Sequence, residues 1–170
     1  MQATLGRKGD YSVRAVLDIS NHNGDRRKSR EIAEEMDIPV RYLPQILANL
    51  VEHAILTAEA GPNGGYLLAR PADDITLLDV VEAAEGPIRL DQCVLRGGPC
   101  DWQTSCPVHI PWNRAINALT EELTATTFGE LALQCAAIAT GNYELPADMP
   151  PHVIPTPRRP RIETTGAPGT

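Results

Sequence analysis

The sequence is poor in aromatic residues, which make up 4% of its 170 positions and include a single phenylalanine. Any core must therefore be aliphatic, drawn from the 42% of residues that are hydrophobic. No apolar run approaches the roughly 18 residues that a membrane helix needs, so no membrane span is expected. Residues 1–5, MQATL, contain no apolar signal core, which argues against export and for a cytoplasmic protein. There is no phosphate-cradling glycine loop, no nucleophile elbow and no acid–base pair placed for hydrolysis, so an enzyme is not expected. Positive charge is also short. The formal net charge is −7, which argues against indiscriminate binding to nucleic acid. The deficit is uneven, however. Residues 1–70 carry 9 basic and 9 acidic side chains, residues 71–140 carry 3 and 10, and residues 141–170 carry 3 and 3. The first part can approach a polyanion; the acidic middle cannot.

What is present begins with three short helical patterns. The first is expected over residues 8–21, where Val13, Val16, Leu17 and Ser20 recur at three and four. Asn23-Gly24-Asp25 ends it, and the basic run Arg26-Arg27-Lys28 reads as a turn, either solvated or facing a partner. The second helix is expected over residues 30–36, with Ser29 as N-cap and Ile32, Ala33 and Met36 as its apolar stripe. The third is expected over residues 40–53, burying Leu43, Ile46, Leu47, Leu50 and Ala54. Its other face shows Arg41, Gln45 and Asn49 at successive fours, with Tyr42 beside them. Two short helices across a tight turn, the second with a long polar face, follow the grammar of a helix-turn-helix, although a plain helical bundle would share it.

The next segment favours the first reading. Residues 55–58, a turn rich in glycine from Gly61 to Gly65, and residues 66–70 read as a β-hairpin. Three helices followed by a hairpin make a winged helix-turn-helix, mainly α with a small β wing. That module places its third helix in the major groove of double-stranded DNA and its wing along the backbone or in the minor groove. Arg41 pairs naturally with guanine, and Gln45 or Asn49 with adenine, with Tyr42 as a further contact. Gly64 and Gly65 would let the wing backbone come close to the duplex.

Thr76-Leu77-Leu78-Asp79 has the pattern of a capping box, opening a helix that Gly86 stops. A longer helix is expected over residues 111–124, its seam formed by Trp112, Ile116, Leu119, Leu123 and Thr126. The preceding helices can close a core without it, so a homodimer is expected along this seam. A short helix over residues 127–139 follows, with Cys135 as a small buried residue. From Gly141 onward seven prolines and few large aliphatics predict a disordered tail.

Between the winged part and the long helix lies D-Q-C-V-L-R-G-G-P-C-D-W-Q-T-S-C-P-V-H, residues 91–109. It spaces Cys93, Cys100 and Cys106 as C-x₆-C-x₅-C, with His109 three residues on. These gaps exceed the two to four residues of a zinc knuckle and suit a larger group such as an iron–sulfur cluster, which thiolates hold. Zinc, a thiol switch and inert cysteines remain the alternatives.

Together K-G-D-Y-S-V-R-A-V-L-D-I, I-P-V-R-Y-L-P-Q-I-L, G-P-N-G-G-Y-L-L-A-R-P, I-T-L-L-D-V-V-E-A and the three-cysteine loop resemble, in this order, the Rrf-type winged-helix regulators, the family of the IscR- and NsrR-like iron–sulfur sensors. The resemblance covers about residues 1–135. It implies a dimeric bacterial regulator of transcription whose DNA binding is tuned by a [2Fe-2S] or [4Fe-4S] cluster sensing redox state, nitric oxide or iron–sulfur status. It also implies a fourth ligand beside the three cysteines: His109 stands at the IscR-like position, and Asp10 at the NsrR-like one, reaching across from the first helix of the other subunit. Two features depart from the pattern. Ala60 stands where IscR-like proteins carry a wing arginine, and Pro44 falls inside the expected reading helix, which puts the target sequence in question. The expected organisation is a winged domain over residues 1–86, a cluster loop over 87–110, a dimerisation helix and short helix over 111–140, and a tail over 141–170. A twofold dimer predicts a near-palindromic operator with half-sites about one helical turn, ~34 Å, or a multiple apart. The rival functions are a winged-helix regulator switched by cysteine oxidation or zinc, and a redox or electron-transfer protein that does not bind DNA.

Overall fold

Why each element starts where it does is written in its first turn. The computed structural model describes residues 5–22, 24–88 and 106–144. Helix α1, Arg7–Asn21, has no side-chain cap of its own. Instead the carboxylate of Glu85, from far along the chain, accepts the Gly9 N–H at 2.9 Å. Gly9 is buried, and a Cβ there would lie 2.7 Å from that carboxylate oxygen, so a larger residue would push the Glu85 side chain aside. Helix α2, Ser29–Glu35, begins one residue before the expected start. Ser29 is its first helical residue, and Glu31 Oε2 receives the Lys28 N–H at 2.8 Å in place of the expected serine cap.

Helix α3 spans Leu43–Glu52, three residues shorter at its start than the pattern predicts. Residues 40–42 form the turn. Pro44 therefore lies in the first turn, where the amide has no intrahelical partner, and it opens the helix rather than interrupting it. Ala54, expected on the buried face, is exposed in a left-handed conformation with φ 53° that ends the helix.

Strands β1, Leu56–Glu59, and β2, Gly65–Leu68, pair antiparallel from Leu56↔Leu68 to Glu59↔Gly65. Arg27 adds an antiparallel bridge to Tyr66 on the open side of β2, through main-chain bonds of 3.0 and 2.9 Å. After a 3₁₀ turn, Ala72–Asp74, helix α4 spans Leu77–Glu85. Its capping box is present as expected: the Thr76 hydroxyl accepts the Asp79 N–H at 3.1 Å, and Asp79 accepts the Thr76 N–H at 3.0 Å. Helices α5, His109–Ala125, and α6, Phe128–Ala139, complete the order. The fold is the mainly α architecture with a hairpin wing that the sequence predicts.

The core is aliphatic. Val16 and Ile19 of α1, Ile32 of α2, Leu43, Leu47 and Leu50 of α3 and Val80 of α4 are sealed from solvent. The single phenylalanine, Phe128, is fully buried with them. Its N–H donates to the Ile75 carbonyl at 2.9 Å, and the Leu77 N–H donates to the Thr126 carbonyl at 2.8 Å. These bonds staple the start of α6 to the start of α4, and α6 then packs along α1. Helix α5 has no buried residue. Of the expected seam, Leu119 is exposed to 49%, while Trp112, Ile116, Leu123 and Thr126 are half-buried; Ile110, outside the seam, is exposed to 58%. Among the described residues no helix is long and apolar enough to cross a membrane.

Candidate nucleic-acid interface and thiol site

The residues expected to read DNA gather at the turn between α2 and α3 and along α3. Arg41 is exposed, and its guanidinium lies over the Tyr42 ring, 4.7 Å from the centroid. Tyr42 in turn stacks on Tyr11 of α1, ring centroids 6.0 Å apart. The stack holds Arg41 ahead of any contact with DNA, with a cation–π attraction of about 0.5–1 kcal/mol at such an exposed site. Tyr42 is half-buried and serves this packing. Gln45 is exposed one turn on, while Asn49 is half-buried near the helix end. The Asn49 amide oxygen is buried without a hydrogen-bond partner among the described residues.

The wing glycines have a reason inside the fold. A Cβ on Gly64 would fall on the Glu59 carbonyl oxygen, so this tight turn excludes every other residue. Gly65 has φ 153°, and a Cβ there would lie 2.8 Å from the Arg27 carbonyl oxygen. Both glycines face neighbouring backbone of the same chain. At the tip, Glu59 to Asn63 are exposed.

Sequence patterns missed the best-buried charge among the described residues. Asp18 is fully buried on α1 and receives two hydrogen bonds from the Arg27 guanidinium, at 2.9 and 3.0 Å. Glu31 and Glu35 lie 3.8 and 3.7 Å from the same group. The hydrogen bond to Asp18 raises the Arg27 pKa, with the charges of Asp18, Glu31 and Glu35 adding to it against desolvation. Such a group contributes its full stabilisation below its ordinary value and loses it only as pH climbs past the raised one, so Arg27 is charged throughout the physiological range. The one available signal was an acid at residue 18 between the apolar Leu17 and Ile19, with an arginine run nine residues on.

The thiol site is described in part. Cys93 and Cys100 lie outside the described residues. Cys106 is a half-exposed free thiol just ahead of α5. Helix α5 starts two residues earlier than expected, with His109 as its first residue, its N–H 3.3 Å from the Cys106 carbonyl. The His109 Nε2 lies 3.1 Å from the Asn113 amide nitrogen, an arrangement in which Asn113 donates and Nδ1 carries the proton. The main-chain bond from His109 to Cys106 brings these two residues within one turn of chain at the start of α5. Asp10 lies elsewhere, paired with Arg14 at 2.8 Å. Among the described residues no three His, Cys, Asp or Glu side chains converge on one point. Cys135, expected to be buried, is half-exposed on α6.

A winged helix-turn-helix that leads through a cysteine segment into a projecting helix narrows the relationship. Residues 5–134 match the model of the Rrf2 family, described as an iron-dependent transcriptional regulator. The chain belongs to the Rrf2 family. It is similar to the HTH-type transcriptional regulator IscR of Sodalis glossinidius (strain morsitans), 33% identical over 128 residues that cover 75% of this chain and 77% of that one. It is similar also to the IscR of Escherichia coli (strain K12 / DH10B), 32% identical over 128 residues, 75% and 78% of the two chains. Among solved structures it resembles T. potens IscR with a TM-score of 0.62 and 27% identity, covering 82% of this chain and 92% of that one. The CymR cysteine regulator of B. subtilis has a TM-score of 0.65 at 24% identity over 78% and 98% of the chains, a likeness of fold. Rrf2 membership makes this chain a DNA-binding regulator of transcription, not an enzyme.

Proposed function

We propose that this Rrf2 regulator is a cytoplasmic homodimer whose operator binding is controlled by an iron–sulfur cluster held by Cys93, Cys100 and Cys106. The observation that carries this reading is the main-chain bond from the His109 N–H to the Cys106 carbonyl, which sets a thiol-bearing and an imidazole-bearing residue within one turn of chain at the start of α5. Thiolate and imidazole are donors suited to cluster iron, and the family's description as iron-dependent supports the choice. His109 would serve as fourth ligand by giving up its bond from Asn113; Asp10 would have to leave Arg14 to do so. When bound, the cluster would supply a site that nitric oxide or a change of redox state can alter.

The route from that site to DNA runs through α4. The Ile88 N–H donates to Glu82 at 3.0 Å, fixing the chain as it leaves α4 toward the cysteines. Helix α4 packs on both α1 and α3. A change in the segment that follows α4 can therefore tilt the reading helix through direct packing. The seam of α5, with Leu119 exposed on it, would pair with its copy, giving a near-palindromic operator.

Anaerobic purification tests the reading. Protein carrying iron and sulfide, with cluster absorbance abolished in Cys100→Ala and Cys106→Ala, is the expected result. Colourless protein with stoichiometric zinc would favour the zinc reading, and a disulfide between two of the three cysteines that tracks operator release would favour a thiol switch.

A further inference from the structure

The wing itself carries no positive charge. Residues 56–69 contain no Lys or Arg, and their single ionic side chain is Glu59. A wing that follows a phosphate backbone needs cations, and Ala60 stands where the family resemblance leads one to expect an arginine.

The bridge at Arg27 supplies them from another part of the chain. Because Arg27 pairs with Tyr66, it extends the hairpin by a third extended segment beside β2. Side chains alternate across such a segment. Arg27 points inward with its cross-strand partner Tyr66, onto buried Asp18. Arg26 and Lys28 must then share the outer face with Glu59, and both are exposed. Arg26 meets Glu59 across the hairpin in an ion pair, in keeping with the face it occupies. Lys28 has no ion-pair partner among the described residues.

We propose that Arg26 and Lys28, fixed beside the wing by the Arg27–Asp18 lock, are the phosphate contacts of the wing, and that Glu59 holds Arg26 in check. This rests on the reading that the wing meets DNA. The partner is the DNA backbone, so the interaction adds affinity without sequence preference. Its surface position leaves folding untouched when either charge is removed.

The test uses the anaerobically purified full chain and a duplex that the wild-type protein selects from a random-sequence pool. Arg26→Gln with Lys28→Gln should lower the slope of log affinity against log salt by about 0.9 for each phosphate no longer neutralised, roughly five- to tenfold in affinity apiece near physiological salt. The loss should be equal on selected and unselected duplexes, and Glu59→Gln should raise affinity on both. Arg41→Gln serves as the comparison. If Arg41→Gln weakens binding while the double variant keeps the wild-type slope and affinity, the proposal is overturned and the DNA-binding reading stands. If the wild-type chain selects no duplex, both fall together.

Discussion

At residue 18 the chain places a full charge where no water reaches it, and one side chain neutralises it. Removing that partner leaves an uncompensated carboxylate in the core. Arg27→Met should therefore cost about 3–5 kcal/mol of unfolding free energy, read by denaturant titration, and a loss below about 1 kcal/mol would mean that Asp18 finds solvent or another donor. Glycine gives a second residue-scale outcome. Gly65→Ala puts a side chain into a positive φ and against the Arg27 carbonyl. It should lower stability by about 1–3 kcal/mol, checked by thermal unfolding, and it should do so whether or not DNA is present. Sequence reading placed Gly64 and Gly65 in the wing but assigned their bareness to the duplex. The fold supplies a further reason, unseen in the sequence because the residue 27 carbonyl beside Gly65 is brought there only by the fold. Asp18 was hidden for the same reason: helical spacing marks a buried face but says nothing about which distant arginine will neutralise an acid on it.

Among the elements, the helices with strong apolar periodicity were legible. The capping boxes at Thr76 and Thr127 set two starts, since each is a local exchange of hydrogen bonds within four residues. The start of α3 was not legible. Residues 40–42 keep helical spacing, yet the chain folds them as a turn and lets Pro44 open the helix. Helix α6 was grouped with the dimerisation helix over residues 111–140, whereas Phe128 is buried in the core with the helices of the winged part. Phe128→Ala should cost about 3–5 kcal/mol and release α6 from α1, visible as faster amide exchange along residues 128–139; unchanged exchange would show that the main-chain bonds at Ile75 and Thr126 suffice. Helix α5 behaves in the opposite way. Leu119→Glu touches nothing buried, so the folded protomer should keep its stability within about 0.5 kcal/mol, while a dimer built on this seam should fall to monomer in sedimentation velocity. Retained dimers would move the subunit interface elsewhere.

For the whole molecule, the proposed switch would join two ends through one packed helix. Cys106 and His109 follow α4 along the chain, and α4 packs on α3. The winged fold and the order of its parts could be read from sequence because they depend on periodicity and turn chemistry. The completed ligand set could not be, because it depends on which side chains converge in space. Asp10 and His109 were both candidates by position; the structure gives Asp10 an ion pair with Arg14 and gives His109 a place beside Cys106. The most direct measurement is the affinity of anaerobic, cluster-loaded protein and of the same protein stripped of iron for one selected duplex at one salt concentration. The account predicts dissociation constants that differ at least tenfold, about 1.4 kcal/mol. Equal affinities, with both forms folded and dimeric, would contradict it.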